Sequence, residues 1–125
     1  IRCTGPRQKT GSLSGGNQQK VCLARALTLK PKILIVAEPT RGIDIGAKRL
    51  VLEYLIKMNE EYGMTVVIIS SELVELRSIC DRIAIVTEGK VSDILPPDAS
   101  DAAFGLAMSG LSVNEIREET ISNEI

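Results

Sequence analysis

Apolar positions along the chain follow two rhythms. From Ser14 to about Leu29 they fall at Val21, Ala24 and Leu27, with Leu23 alongside, among Asn, Gln, Lys and Arg, which predicts an amphipathic helix closed by Pro31. "KILIVA", Lys32 to Ala37, is continuous and β-branched with no alternation, the pattern expected of a strand buried on both faces of a parallel sheet. The helical rhythm returns from about Ile45 to Tyr62, with Leu50, Val51, Tyr54, Leu55 and Met58 on one side and Gly63 placed to end it. "MTVVIIS", Met64 to Ser70, predicts a second buried strand. Ser70 or Ser71 is then the expected cap of a third helix through about Ile79, with Glu72 and Glu75 near its positive end.

"RIAIVTEGKVSDIL" predicts a hairpin turning at Glu88-Gly89. After Pro96-Pro97, Asp98 is the expected cap of a helix through about Met108 that Gly110 stops. Residues 1–13, with Gly5, Pro6 and Gly11, read as loop, and the acidic tail 111–125 tolerates a helix without demanding one.

Helix, strand, helix, strand, helix, hairpin is half of an open α/β sheet. Ligands in such sheets bind outside the carboxyl ends of the strands, which directs attention to "AEPTRGID" and "SSE". A second feature is "SLSGGNQQK", Ser12 to Lys20, where small residues with accessible amides open a helix and prepare a place for an anion.

Composition narrows the picture. The 125 residues suffice for one domain with a modest core, and one Phe with two Tyr make that core aliphatic. No apolar run approaches the roughly 20 residues of a membrane span, and no secretory leader opens the chain, so a soluble cytosolic protein is expected. Cys3, Cys22 and Cys80 are odd in number and lack C-x-x-C spacing, the pattern of idle thiols rather than of a disulfide or zinc framework. The chain begins at Ile1 rather than Met, as expected of a piece of a longer polypeptide and equally of a removed leader or tag. Every charged residue before Glu38 is basic, yet no aromatic is interleaved for base stacking. A local positive field facing a phosphate ligand fits this better than a nucleic-acid arm. Lys20 and Arg25 fit either as part of that field or as solvated helix charges.

Three ordered stretches carry a family resemblance over residues 5 to about 110. "LSGGNQQKVCLARAL", Leu13 to Leu27, resembles the signature motif of ABC-transporter ATPases, in the branch that imports ribose, galactose and related sugars. "ILIVAEPTRGIDIGAKR", Ile33 to Arg49, is similar to that branch's Walker B and D-loop. "IISSELVELRSICDRIAIVTEGK", Ile68 to Lys90, looks like the second of its two fused ATPase halves.

The resemblance implies roles at matching positions. Ser14, Gly15 and Gly16 would touch a γ-phosphate, with Asn17 and Gln18 orienting the loop. A helix start favours such charge by about 0.3 to 1 kcal/mol, and glycine lets the backbone come close. Glu38 would be the catalytic carboxylate that orients or polarises the attacking water. Gly42 and Asp44 would form the D-loop at a dimer interface, Asp44 serving equally as cap of the helix at Ile45.

Departures from the family pattern matter as much. Ala37 stands where the Walker B aspartate supports Mg²⁺, and an alanine has no oxygen to offer a hydrated ion. The chain has no His, and Ser71 occupies the switch position, as in the second half of sugar-importer ATPases. No G-x-x-x-x-G-K-[ST] string occurs, since "GIDIGAK" has the wrong spacing.

The resemblance therefore implies an α/β fold: a partial P-loop-NTPase-type parallel sheet with flanking helices and a C-terminal β-hairpin, lacking the P-loop strand and leaving a bare sheet edge. It divides the chain into a distal portion of a nucleotide-binding domain, 1–110, and an acidic tail, 111–125. ATP and Mg²⁺ would come mainly from a partner half. The expected partners are a second ATPase half and a membrane permease, with no nucleic acid and no membrane span of its own, and the expected location is the cytoplasmic face of the cell membrane. Three descriptions stay open: part of a hydrolysing subunit, a degenerate signature donor that does not itself hydrolyse, and a nonfunctional truncated remnant.

Overall fold

A computed structural model describes residues 1 and 3–124. The chain forms two compact units, residues 1–71 and residues 72–125.

In the first unit a short 3₁₀ turn, Thr10–Ser12, leads into helix α1, Gly15–Thr28. Ser14 caps α1 by accepting a hydrogen bond from the Asn17 amide, and Leu29 closes it. Strand β1, Ile33–Ala37, follows, then helix α2, Ile45–Glu60, capped by Asp44, and strand β2, Thr65–Ile69. Gly63 turns the chain out of α2 at a φ of 65°, a conformation that glycine adopts without a Cβ clash.

Strands β1 and β2 pair in parallel from Ile33 opposite Thr65 to Ala37 opposite Ile69. One face of this pair packs on the helices. Leu23, Leu34, Val51, Leu55, Met58 and Met64 are buried there, with Val36, Val66 and Ile68 packed against them.

The opposite face overturns one expectation. Instead of burial on both faces, Ile33, Ile35, Val67 and Ile69 lie 61%, 65%, 43% and 57% exposed. Both helices of the unit pack against the even-numbered side chains, so the uniformly apolar run alternates in burial even though it does not alternate in sequence. The sheet has two strands, so each is paired along one side and open along the other.

The second unit begins with helix α3, Leu73–Ile79, followed by the antiparallel pair β3, Ile83–Thr87, and β4, Lys90–Leu95. Positive φ at both Glu88 and Gly89 gives the turn type that matches the twist of the flanking strands. A register shift at Ile85/Val86 leaves Ser92 as the extra residue, and its hydroxyl donates to the Ala107 carbonyl at 2.6 Å. That carbonyl lies in the last turn of helix α4, Asp101–Met108, and also receives the Thr87 hydroxyl at 3.3 Å.

The core of this unit departs from the aliphatic expectation. Its centre is Phe104, the only phenylalanine, buried with Ile83, Ile85, Leu95 and Ala107. Arg77 stacks over the Phe104 ring at 4.7 Å while its guanidinium donates to the carbonyls of Pro97 and Ala99 and to the Asp101 carboxylate.

Two caps differ from their sequence expectations. Helix α4 is capped by Ser100 rather than Asp98, because Pro96 and Pro97 lead into a turn closed by the Ala99 amide on the Pro96 carbonyl, which delays the helix. Helix α3 has Glu72, not Ser70 or Ser71, at its cap position, with no side-chain cap bond. Beyond Gly110, helix α5, Val113–Glu124, starts at a reciprocal pair: the Glu115 amide donates to the Ser112 hydroxyl, and the Ser112 amide donates to the Glu115 carboxylate.

The open apolar face of β1 and β2 should make the chain self-associate. Replacing Ile35 and Val67 together by lysine should weaken the concentration dependence seen in sedimentation velocity, and an unchanged profile would locate the adhesive surface elsewhere.

Candidate functional site

Parallel pairing sets the carboxyl ends of β1 and β2 side by side, with Ala37 opposite Ile69. Glu38 leaves β1 with φ at 47°, in the left-handed region, where a residue bearing a Cβ is held only by its surroundings. Here the Glu38 amide donates to the Ile69 carbonyl at 2.7 Å, and the Arg41 amide closes a turn onto the Glu38 carbonyl at 3.2 Å. Pro39 and Thr40 are buried in that turn.

The Glu38 side chain is directed to the end of β2. Its Oε1 accepts from the Ser71 backbone amide at 3.0 Å, and its Oε2 lies 3.5 Å from the Ser70 hydroxyl. An ionised carboxylate has about four acceptor directions, so lone pairs stay available for a water or a polar substrate group. Ser71 thus meets Glu38 through main chain rather than side chain. Ala37 ends β1 with a methyl group, and among the described residues no group of three or more His, Cys, Asp or Glu could hold a metal ion. The methyl group at position 37 offers no oxygen to Mg²⁺.

The second grouping joins the helix start to the loop after Glu38. Gly42, at a φ of 73°, carries the chain toward Asp44, whose Oδ1 accepts from the Ala47 amide at 2.9 Å and caps α2. Gly15 lies against this loop: a Cβ built on it would stand 3.0 Å from the Ile43 Cγ2 and 3.4 Å from the Gly42 carbonyl oxygen. A side chain at position 15 is thus opposed from within the chain as well as by any ligand.

Between these segments is a cleft of about 270 Å³ lined by Gly15, Gln18, Gln19, Cys22, Arg41, Gly42 and Ile43. The Gln18 amide group donates to the Leu13 carbonyl at 3.1 Å and so braces the chain entering α1. Ser14 is exposed, with its oxygen on the Asn17 amide. Gly16 lies within α1, and its surroundings are outside those described. Helix geometry leaves the first amides of α1, those of Gly15 and Gly16, without intrahelical acceptors.

The structure thus makes two groupings of the sequence candidates, Glu38 with Ser71 and Gly15 and Gln18 with Gly42, all within the first unit. The sequence marks the stretches "AEPTRGID" and "SSE" but does not single out Ser70, Arg41 or Ile43 within them. For Arg41 and Ile43 the signal was adjacency to Gly42, a glycine that bends the loop; for Ser70 only the strand register brings it to Glu38.

Of the three thiols, Cys3 and Cys22 are exposed and Cys80 is half-buried. Burial, aided by the neighbouring Asp81 carboxylate, pushes the Cys80 thiol above its ordinary range, so its thiolate forms only at higher pH.

The sequence profile described as ABC transporter matches residues 2–41. The chain is 44% identical over 97% of its length to the ribose import ATP-binding protein RbsA of Shouchella clausii. It is 40% identical over 92% of its length to the nucleoside import ATP-binding protein NupA of Lactococcus lactis. It spans about a fifth of these relatives, 21% and 23% respectively. Its fold matches the dimeric structure of an ATP-binding cassette in a post-hydrolysis state with ADP and Pi, with a TM-score of 0.65, 33% identity, and coverage of 74% of this chain and 40% of that one.

Two measurements check this geometry. Gly15→Ala should destabilise the first unit by about 1 kcal/mol in urea unfolding. It should do so less in an Ile43→Ala background, so purely additive effects would deny the Gly15–Ile43 contact. With a thiol reagent near pH 8, Cys80 should react last of the three cysteines, its rate catching up as pH rises.

Proposed function

We propose that this chain, which belongs to the ABC-transporter ATP-binding family, supplies one jaw of an ATP site in a sugar importer, the other jaw coming from a partner half. In this reading Ser14, Gly15, Gly16, Asn17 and Gln18 meet the γ-phosphate of a nucleotide held in a phosphate cradle outside these 125 residues. Glu38 orients the attacking water, and Gly42 and Asp44 line the interface between the halves. The observation that carries the reading is the packing of the glycine-fronted start of α1 across a cleft from the loop that leaves Glu38.

The physical chemistry is consistent with those roles. Amides at a helix start, with the hydroxyl of Ser14, favour a developing negative charge. A carboxylate held by one amide and one hydroxyl keeps acceptor capacity for a water. Bound Mg²⁺ would neutralise phosphate charge, and it too would come from the partner half. Residues 1–110 make up the distal portion of the nucleotide-binding domain, with 111–125 as its tail. Among the described residues no helix is long and apolar enough to cross a membrane. In this reading the chain is part of a peripheral subunit on the cytoplasmic face that acts on a separate permease. Sugar import follows the ribose importers among the relatives, and a nucleoside importer stands beside them.

Ala37 favours a second reading, a signature donor whose own Glu38 does not complete a hydrolytic site. Phosphate release by the chain paired with a P-loop-bearing partner half separates the two. Glu38→Gln should lower kcat at least ~100-fold with little change in nucleotide affinity. Gly15→Asp, which sets a carboxylate toward the phosphates, should remove partner-stimulated hydrolysis. A rate indifferent to Glu38→Gln but lost in Gly15→Asp would select the donor reading, and indifference to both would reject each.

A further inference from the structure

The family resemblance directs attention to the side chain at position 71, but the contacts of Glu38 direct it elsewhere. We propose that Ser70 is a positioning residue for Glu38 and that position 71 acts through its backbone amide, so that the Ser71 side chain is dispensable. The inference rests on Glu38 as the water-orienting carboxylate proposed above.

Both carboxylate oxygens have a donor from the end of β2. Oε1 takes the Ser71 amide at 3.0 Å, a charge-assisted bond that a change of the Ser71 side chain to any residue keeping its N–H leaves in place. Oε2 has the Ser70 hydroxyl at 3.5 Å, a long contact that tightens or fails with small movements of the strand end. The backbone of Glu38 is pinned to the same strand through its amide on the Ile69 carbonyl, and its left-handed φ directs the side chain along that edge. Ser70 is half-buried and Ser71 exposed, so the hydroxyl in the more constrained place faces the carboxylate. A histidine at position 71 is thus unnecessary for holding Glu38: the main chain does at 71 what no side chain there has to do, and the hydroxyl one residue earlier faces the second oxygen.

Nuclear magnetic resonance of the full 125-residue chain with ¹³C-labelled glutamate reads this contact without any need for hydrolysis. Ser70→Ala should displace the Glu38 side-chain carboxyl resonance, Ser70→Thr should return it, and Ser71→Ala should leave it in place. Hydrogen exchange of the Ser71 amide should quicken about tenfold in Glu38→Ala. If Ser71→Ala moved the Glu38 resonance as far as Ser70→Ala, or if Ser70→Ala left it unmoved, the assignment would be overturned. Should the resonance pattern hold while Glu38→Gln leaves phosphate release intact, the positioning contact stands and the catalytic role of Glu38 is what fails.

Discussion

The parallel pairing of β1 with β2 is the constraint on which the rest of the first unit depends. Five residues of each strand run in register, and that register sets Ala37 beside Ile69. From there the geometry of the site follows with little freedom. The Glu38 amide reaches the Ile69 carbonyl, the residue is forced into a left-handed backbone, and its carboxylate comes within reach of Ser70 and Ser71. A slip of one residue would turn the apolar side chains of a strand to its other face and carry Glu38 away from its donors.

Close packing governs the other half of the site. The loop after Glu38 bends at Gly42 and returns along the start of α1, where Gly15 admits it. The close approach of position 15 to Ile43 links the start of α1 to the loop of the carboxylate. Substitution at Gly15 therefore perturbs the chain's own packing as well as any approach to a ligand, and the two effects have to be separated before a lost activity is assigned to phosphate contact. Asp44 joins the same scheme, since capping α2 fixes where the loop ends.

The second unit is built on different means. Its strands pair antiparallel, its core is organised by one aromatic ring, and Arg77 joins the segment before α4 to that ring through three hydrogen-bonded partners and a stacked guanidinium. A lysine could not serve equally, because it offers no planar fork to meet Pro97, Ala99 and Asp101 together. Ser92 and Thr87 fasten the end of α4 to the hairpin through a single carbonyl.

By itself the sequence determined what local physics determines: α1 and α2 from their apolar spacing, the Asp44 cap, the Glu88-Gly89 turn, the stop at Gly110, and the family through ordered motifs. The tail composition left α5 undecided, and the reciprocal cap of Ser112 and Glu115 shows where it starts. Only tertiary structure decided which face of an evenly apolar strand is covered, because "ILIVA" carries no polar position to mark its outside. It also decided that Phe104 rather than an aliphatic residue centres the second core, and that Ser100 rather than Asp98 starts α4. Most of all it decided that Ser70, thirty-two positions from Glu38, stands beside it. Periodicity and capping act over one or two helical turns, whereas strand register joins residues far apart in the chain through backbone hydrogen bonds that side-chain identity does not spell out.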